Sequence, residues 1–243
     1  MTEIPLSIII PVYNECVNIE TTLTEINTHI KTPHHIFIIY DFPEDNTLPI
    51  VKDFIQKFNL NNISLVLNDF GRGALNAIKK GFSQVNSEMT LVTMGDMSDD
   101  ISIVDSMAER INNGYDLVCA SRYIKGGNQI GGPRIKKMLS RLAGVSLNLL
   151  TGIPTHDISN NFKLYRTKLL KDIKIESDGG FELALEILVK AWIKGYKITE
   201  VPSIWKNRVG GESRFKLLKW LPKYIRWYLY ACFKSFKVKK SYN

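Results

Sequence analysis

Cysteine and histidine are scarce. Three cysteines, Cys16, Cys119 and Cys232, stand far apart with no CxxC pair, and four histidines show no zinc-ligand spacing. A disulfide framework and a zinc module are therefore disfavoured, and a reducing compartment is expected. No apolar run approaches the roughly 20 residues that span a bilayer. No basic n-region opens the chain: residues 1–5 carry Glu3, and the apolar run over residues 6–13 is short and holds Pro11. The expectation is a chain without a signal peptide that, if it meets a membrane, lies on it. No glycine fingerprint follows the first apolar run, which disfavours a dinucleotide-binding dehydrogenase. Gly71-Arg72-Gly73 is too short for that fingerprint or for a Walker loop, and reads as a tight turn into a helix near Ala74.

Acids are missing from one region. Residues 213–243 hold nine basic residues and no acid, so the net charge of +8 (Lys+Arg 32, Asp+Glu 24) leaves the first 212 residues at −1. A nucleic-acid binder spreads positive charge over its folded face, whereas here the excess sits in an appendage, so no nucleic-acid partner is expected. With 243 residues, 44% hydrophobic and 23% charged, the chain is long enough for a sizeable core and average in composition.

The pattern along the chain alternates. Residues 6–12 form a dense β-branched run, and residues 18–30 follow with helical apolar spacing at Ile19, Leu23, Ile26 and Ile30. Residues 35–40, 63–67, 89–94 and 116–120 read as further strands, with helical patterns between them. Fully apolar strands alternating with helices predict a mostly parallel α/β sheet covered on both faces. The rhythm then breaks at a glycine-rich loop, residues 125–134. Helices are expected over 135–150 and 181–194, a strand near 161–165, and an edge strand over 200–205 interrupted by Pro202.

Ligands of open parallel sheets bind beyond the carboxyl ends of the strands. Those ends here read Pro11-Val12-Tyr13-Asn14-Glu15, Tyr40-Asp41, Met94-Gly95-Asp96-Met97-Ser98-Asp99-Asp100 and Ser121-Arg122. Three of the four deliver carboxylates to one rim. Each acid taken alone is an ordinary helix cap; together they point to a site. These segments, with Asp45-Asn46-Thr47, Gly71-Arg72-Gly73-Ala74, His156-Asp157-Ile158-Ser159-Asn160-Asn161-Phe162-Lys163, Gly180-Phe181-Glu182, Glu200-Val201-Pro202 and Arg208-Val209-Gly210-Gly211-Glu212-Ser213-Arg214, resemble the ordered motifs of family 2 glycosyltransferases. The branch they are most similar to includes dolichyl-phosphate mannose synthase, and the likeness runs from about residue 6 to 214.

That resemblance implies a GT-A type nucleotide-binding fold over residues 1–212, followed by a basic amphipathic tail over 213–243. It implies transfer of a sugar from a nucleoside diphosphate donor, with inversion at the anomeric carbon. Pro11, Tyr13 and Glu15 match the family's nucleoside clamp and Asp41 its base-recognition residue, with Ile39 and Gly95 in the same donor-binding set. Asp96 matches the last acid of the metal motif, where a carboxylate holds Mg²⁺ or Mn²⁺ against the diphosphate. The first acid of that motif is replaced by Met94, whose thioether is a poor ligand for either ion, leaving Ser98, Asp99 or Asp100 as helpers. Asp99 and Asp100 equally suit the start of the next helix. Arg122, Arg208 and Arg214 match cations near the diphosphate or the acceptor phosphate, where a guanidinium offsets charge on the leaving group. An acceptor hydroxyl needs a general base, Glu182 or Asp157; a polyprenyl phosphate acceptor is already anionic and needs none.

On a helical wheel of about 100° per residue, Lys219, Lys223, Arg226, Lys234 and Lys237 fall in one basic stripe. Leu221, Ile225, Tyr228, Leu229, Cys232 and Phe236 oppose it, with Trp220 and Trp227 at the boundary. Residues 217–238 thus read as a helix in a bilayer interface; docking on the core or on another subunit is the competing reading. The expected function is sugar transfer from a nucleoside diphosphate sugar to a membrane-linked acceptor such as a polyprenyl phosphate, at the cytoplasmic face of a membrane, with room for an oligomer. The alternative, motivated by Met94, is a non-catalytic nucleotide-sugar-binding or membrane-scaffolding relative.

Overall fold

The computed structural model describes residues 5–207 and 217–240. Nine strands and eight helices are described: β1 (Leu6–Val12), α1 (Ile19–His29), β2 (His34–Tyr40), α2 (Thr47–Phe58), β3 (Ile63–Leu67), α3 (Ala74–Gln84), β4 (Met89–Val92), α4 (Val104–Asn112), β5 (Leu117–Ser121), β6 (Asn128–Ile130), α5 (Arg134–Thr151), β7 (Lys163–Arg166), α6 (Thr167–Asp172), α7 (Leu183–Ile193), β8 (Ile198–Pro202), β9 (Ile204–Lys206) and α8 (Leu217–Lys240). Seven strands make one sheet in the order β3-β2-β1-β4-β7-β5-β8, and β6 pairs with β9 in a small second sheet.

All pairs in the large sheet are parallel except those of β7, which runs antiparallel between β4 and β5. The sequence pattern predicts a strand here but not its direction, because a buried apolar run looks the same either way round. β8 is the expected edge strand and ends at Pro202; Ser203 then separates it from β9.

Side chains of β1 alternate between two cores. Leu6, Ile8, Ile10 and Val12 pack under α1, α2 and α4, while Ile9 joins Leu75 and Ile78 of α3 and the apolar residues of α7 on the other face. The helices sit close: a Cβ at Gly81 of α3 would lie 2.5 Å from Ile9 Cγ2. On this second face α7 is buried all round, and its outer side is covered by Trp227 and Ala231 of α8.

α8 presents three faces rather than two. Trp227 is 3% exposed and, with Tyr224, Tyr228 and Ala231, docks on α5 and α7; the Tyr228 and Ser146 hydroxyls lie 2.8 Å apart. Trp227 therefore stands inside this contact and not at a membrane border. Leu221, Ile225, Leu229 and Phe233 form a second, exposed apolar row at four-residue spacing. Lys223, Arg226 and Lys234 lie on the third face. α5, alongside, shows the same character: Ile135, Met138, Leu139, Leu142, Leu149 and Leu150 are exposed, and its 18 residues contain no acid. Among the described residues no helix is long and apolar enough to cross a membrane.

Candidate active site

The loop after β1 is shaped by a buried acid. Asp45 accepts hydrogen bonds from the backbone N–H of Asn14 at 3.1 Å and of Thr47 at 2.9 Å, and the Thr47 hydroxyl accepts one from Glu15 N at 2.9 Å. Asn14 is held at φ 55°, a conformation that asparagine tolerates better than most residues. This fixes Tyr13 and Glu15 on the rim, where Tyr13 meets Phe42 edge to face at 5.3 Å and Arg72 lies 5.8 Å from the Phe42 ring. Asp41, at the end of β2, accepts from Asn68 Nδ2 at 2.7 Å and from Gly73 N at 2.8 Å. The acid ties the ends of β2, β3 and the start of α3 into one wall.

The turn after β4 holds three acids, of which Asp100 accepts from the Ser102 hydroxyl at 2.6 Å and Ile204 N at 3.2 Å while the other two line the cleft. Asp96 faces the cleft and accepts from Ser98 N at 3.1 Å. Asp99 also lines the cleft, and one of its oxygens accepts from the Thr93 hydroxyl at 2.9 Å and Met94 N at 3.1 Å. Burial, and behind it the charge of Asp96, pushes the Asp99 carboxyl up to about 7.

After β5, Arg122 enters a polar network. Its Nε and Nη2 donate to Asp157 at 2.6 and 2.8 Å, Nη2 also to Ser159 at 2.9 Å and Ser140 at 3.2 Å, and Nη1 to Gln129 at 3.3 Å. Burial alone would raise the Asp157 carboxyl, but the Arg122 guanidinium holds it below the usual carboxylate range. Ser140 lies on α5, which passes so close to the 156–157 loop that a Cβ at Gly144 would collide with the His156 carbonyl oxygen. Small size at position 144 is what lets α5 reach the site.

One cleft of about 910 Å³ joins these groups. Pro11, Tyr13, Glu15 and Asp41 line one end, Asp96 and Ser98 the middle, and Arg122 with Lys136 and Ser140 the far side. From there it continues between α5 and α8 past Leu139, Ala143, Leu221 and Ile225. The separate environments that would dissolve the site are not found: Tyr13, Asp41, Asp96 and Arg122 share one space.

Four expected residues sit elsewhere. The Ile39 side chain is fully buried in the α3-side core and does not line the cleft. Gly95 is buried too, and a Cβ there would face Ile10, Val12 and Ile19 at 3.5–3.6 Å, inside the core. Glu182 is 1% exposed, and both its oxygens accept backbone N–H groups, from Gly179 and Gly180 at 2.8 Å each. Asp157 is fully buried and committed to Arg122. Neither acid reaches the cleft in a form that could take a proton from an acceptor. Arg208 and Arg214 lie outside the described residues. Sequence reasoning missed Lys136 and Ser140, one turn apart on α5. The signal was present in that helix's acid-free amphipathic spacing.

A family description, glycosyl transferase family 2, matches residues 7–174. The chain belongs to this family. Among its curated relatives, a chain named dolichol-phosphate mannosyltransferase from Pyrococcus furiosus is 26% identical over 216 residues, covering 87% of this chain and 59% of the relative. The chain thus spans about three fifths of that relative's length. A polyprenol monophosphomannose synthase from Mycolicibacterium smegmatis is 24% identical over 239 residues, covering 88% of this chain and 85% of the other. Among solved structures, glucosyl-3-phosphoglycerate synthase from Mycobacterium tuberculosis, in complex with Mn²⁺, UDP and its product, superposes with a TM-score of 0.67 at 14% identity, covering 93% of this chain and 79% of the other. The chain thus has the expected GT-A type α/β fold, with the mostly parallel sheet and a C-terminal helix.

Proposed function

We propose that this family 2 glycosyltransferase moves a hexosyl group from a nucleoside diphosphate sugar to a polyprenyl phosphate or closely related lipid phosphate, with inversion. One observation carries the reading: a single cleft runs from a nucleoside-type end at Tyr13 and Asp41, past Asp96, to a basic and hydroxylic end at Arg122, Lys136 and Ser140, and opens between two apolar helices. The dolichol- and polyprenol-phosphate acceptors in the relatives' names support the same acceptor class.

The residues present also favour an anionic acceptor. A sugar hydroxyl would need a base, and Glu182 and Asp157 are both spent on buried hydrogen bonds. A phosphate oxygen attacks the anomeric carbon without giving up a proton, the C–O bond to the donor diphosphate breaks, and the nucleoside diphosphate departs with the electron pair. Arg122 is already locked in orientation by Asp157, so it meets the developing charge without reorganising. Lys136 and Ser140 hold the acceptor phosphate in line.

The donor set for a cation is thin. Met94 supplies no oxygen, and among the described residues no group of three His, Cys, Asp or Glu could hold a metal. This fits Mg²⁺ or Mn²⁺ carried in on the donor diphosphate, with Asp96 as protein carboxylate and Ser98 beside it; such ions keep waters and substrate phosphates as most of their ligands. When bound, the cation would neutralise the leaving diphosphate. Met94 is also what would favour a non-catalytic, donor-binding relative.

The exposed apolar rows of α5 and α8, flanked by Arg134, Lys137, Arg141, Lys223, Arg226 and Lys234 and free of acids, support a peripheral seat on an anionic bilayer at the cytoplasmic face. The cleft opens between these helices, so the acceptor's chain can stay in lipid. The test is a panel of UDP-, GDP- and dTDP-sugars with polyprenyl phosphate in vesicles, with Mn²⁺ or Mg²⁺, read as nucleoside diphosphate release and glycolipid formation. Donor binding without transfer would favour the non-catalytic relative, and neither binding nor transfer would end the enzyme reading.

A further inference from the structure

Residues 176–181 form one wall of the cleft through Gly179, Gly180 and Phe181, and their backbone is bonded in an unusual way. Four of the five amides over 176–180 donate to two buried carboxylates one helical turn apart on the α7 end. Glu186 accepts from Glu176 N at 2.6 Å and Ser177 N at 2.7 Å, and Glu182 accepts from Gly179 N and Gly180 N at 2.8 Å. Charge-assisted bonds of this length make the segment a stiff unit on its inner side.

The outer side of the same segment is tied to two other elements. Lys79 of α3 donates to the Ser177 carbonyl at 3.0 Å, on the side of the cleft where Gly73 and Asp41 stand. From α8, the Tyr224 hydroxyl donates to the Phe181 carbonyl at 2.8 Å, Lys223 pairs with Asp178 at 2.9 Å, and Trp220 meets the Phe181 ring edge to face at 5.8 Å. The fit is tight, since a Cβ at Gly179 would collide with the Glu182 carboxylate on one side and lie 2.5 Å from Lys223 Cδ on the other. A stiff segment gripped by α3 and α8 cannot keep its place if α8 shifts.

We propose that residues 176–181 are a strap through which the seating of α8 sets the donor cleft, with Tyr224 as the positioning residue, so that docking on an anionic bilayer tightens the protein's hold on its nucleotide. This rests on the membrane reading above. A bilayer that fixes α8 fixes Tyr224, Tyr224 fixes the Phe181 carbonyl, and the amide-clamped strap carries that restraint to the wall shared with Gly73 and Asp41. By linkage, nucleotide bound in the cleft strengthens membrane binding by the same factor.

The test uses the full chain and vesicles of phosphatidylcholine and phosphatidylglycerol at 70:30. Co-sedimentation reads docking, hydrogen exchange of the peptide over 176–181 reads the strap, and affinity for UDP and GDP with Mn²⁺ reads the cleft. For the wild type, vesicles are expected to slow exchange in the strap and tighten the better nucleotide by about fivefold. Tyr224→Phe keeps the ring and removes the hydroxyl that donates to the Phe181 carbonyl: it still sediments, and both responses fall below about twofold. Asp178→Ala, which loosens only the outer tie, gives a smaller loss in the same direction. A wild type that sediments with unchanged exchange and affinity overturns the strap while leaving the membrane reading intact, as does Tyr224→Phe responding in full. Slowed exchange with unchanged affinity overturns the link to the cleft. A wild type that does not sediment overturns both.

Discussion

The two ends of the cleft are built by opposite means. At the end formed by Tyr13 and Asp41, short loops after β1 and β2 are fixed by acids that receive backbone N–H groups, Asp45 holding Asn14 and Thr47, and Asp41 holding Gly73. At the far end, long helices supply apolar surface, and a single buried ion pair, Arg122–Asp157, organises the polar groups around it. The first arrangement spreads its cost over several hydrogen bonds from backbone amides. The second concentrates a large desolvation penalty in one pair and is fragile to the loss of either partner.

That contrast makes Asp157→Asn the most damaging substitution. Leaving the buried Arg122 guanidinium without its counter-charge should cost about 3–5 kcal/mol in denaturant unfolding. Adding Arg122→Met should restore part of the loss; a double variant no more stable than Asp157→Asn would show that the pair is not the organising element. Asp96→Asn should instead leave unfolding unchanged and lower kcat/KM by about 10²–10³, the range for removing one electrostatic stabiliser at a transferring group. Retained transfer would move the metal assignment elsewhere. Gly144→Ala forces α5 away from His156 and should cost about 1–3 kcal/mol, with KM for the lipid acceptor rising more than KM for the donor. Least costly to the fold is the combined change of Leu221, Ile225, Leu229 and Phe233 to serine. Each should alter stability by no more than about 0.5 kcal/mol while vesicle co-sedimentation is abolished; vesicle binding that persists would transfer the docking role away from α8.

Much of the cleft rim around Tyr13 and Asp41 was legible from the sequence because strand ends are marked by a change from apolar runs to acids and turn residues, as at Tyr40-Asp41 and Met94-Gly95-Asp96. What those acids bind was not legible. Asp99 lines the cleft beside Asp96 yet commits one carboxylate oxygen to Thr93 and Met94, and Ile39 points into the core because its place in β2, opposite Pro11, is set by register. The end around Arg122 was harder. Glu182 has the burial and the loop position of a catalytic acid, but its partners are amides two and three residues upstream, which no side-chain pattern announces. The wheel of α8 gave the basic stripe but merged two apolar faces into one. Separating the row that docks, Trp227 and Ala231, from the row left exposed requires knowing that α5 and α7 lie beneath it.

The reversed strand β7 has a consequence for how such a site can change. Four residues of strand span about 13 Å, so running β7 the other way would deliver the segment before it, Asp157 through Asn160, to the far edge of the sheet. As built, that segment arrives at the rim from the opposite direction to the loops around it, carried by α5 and not by a neighbouring strand. Its chemistry can vary with the helix that brings it while the turns after β1, β2 and β4 stay as they are, giving the molecule one exchangeable jaw and one fixed in shape.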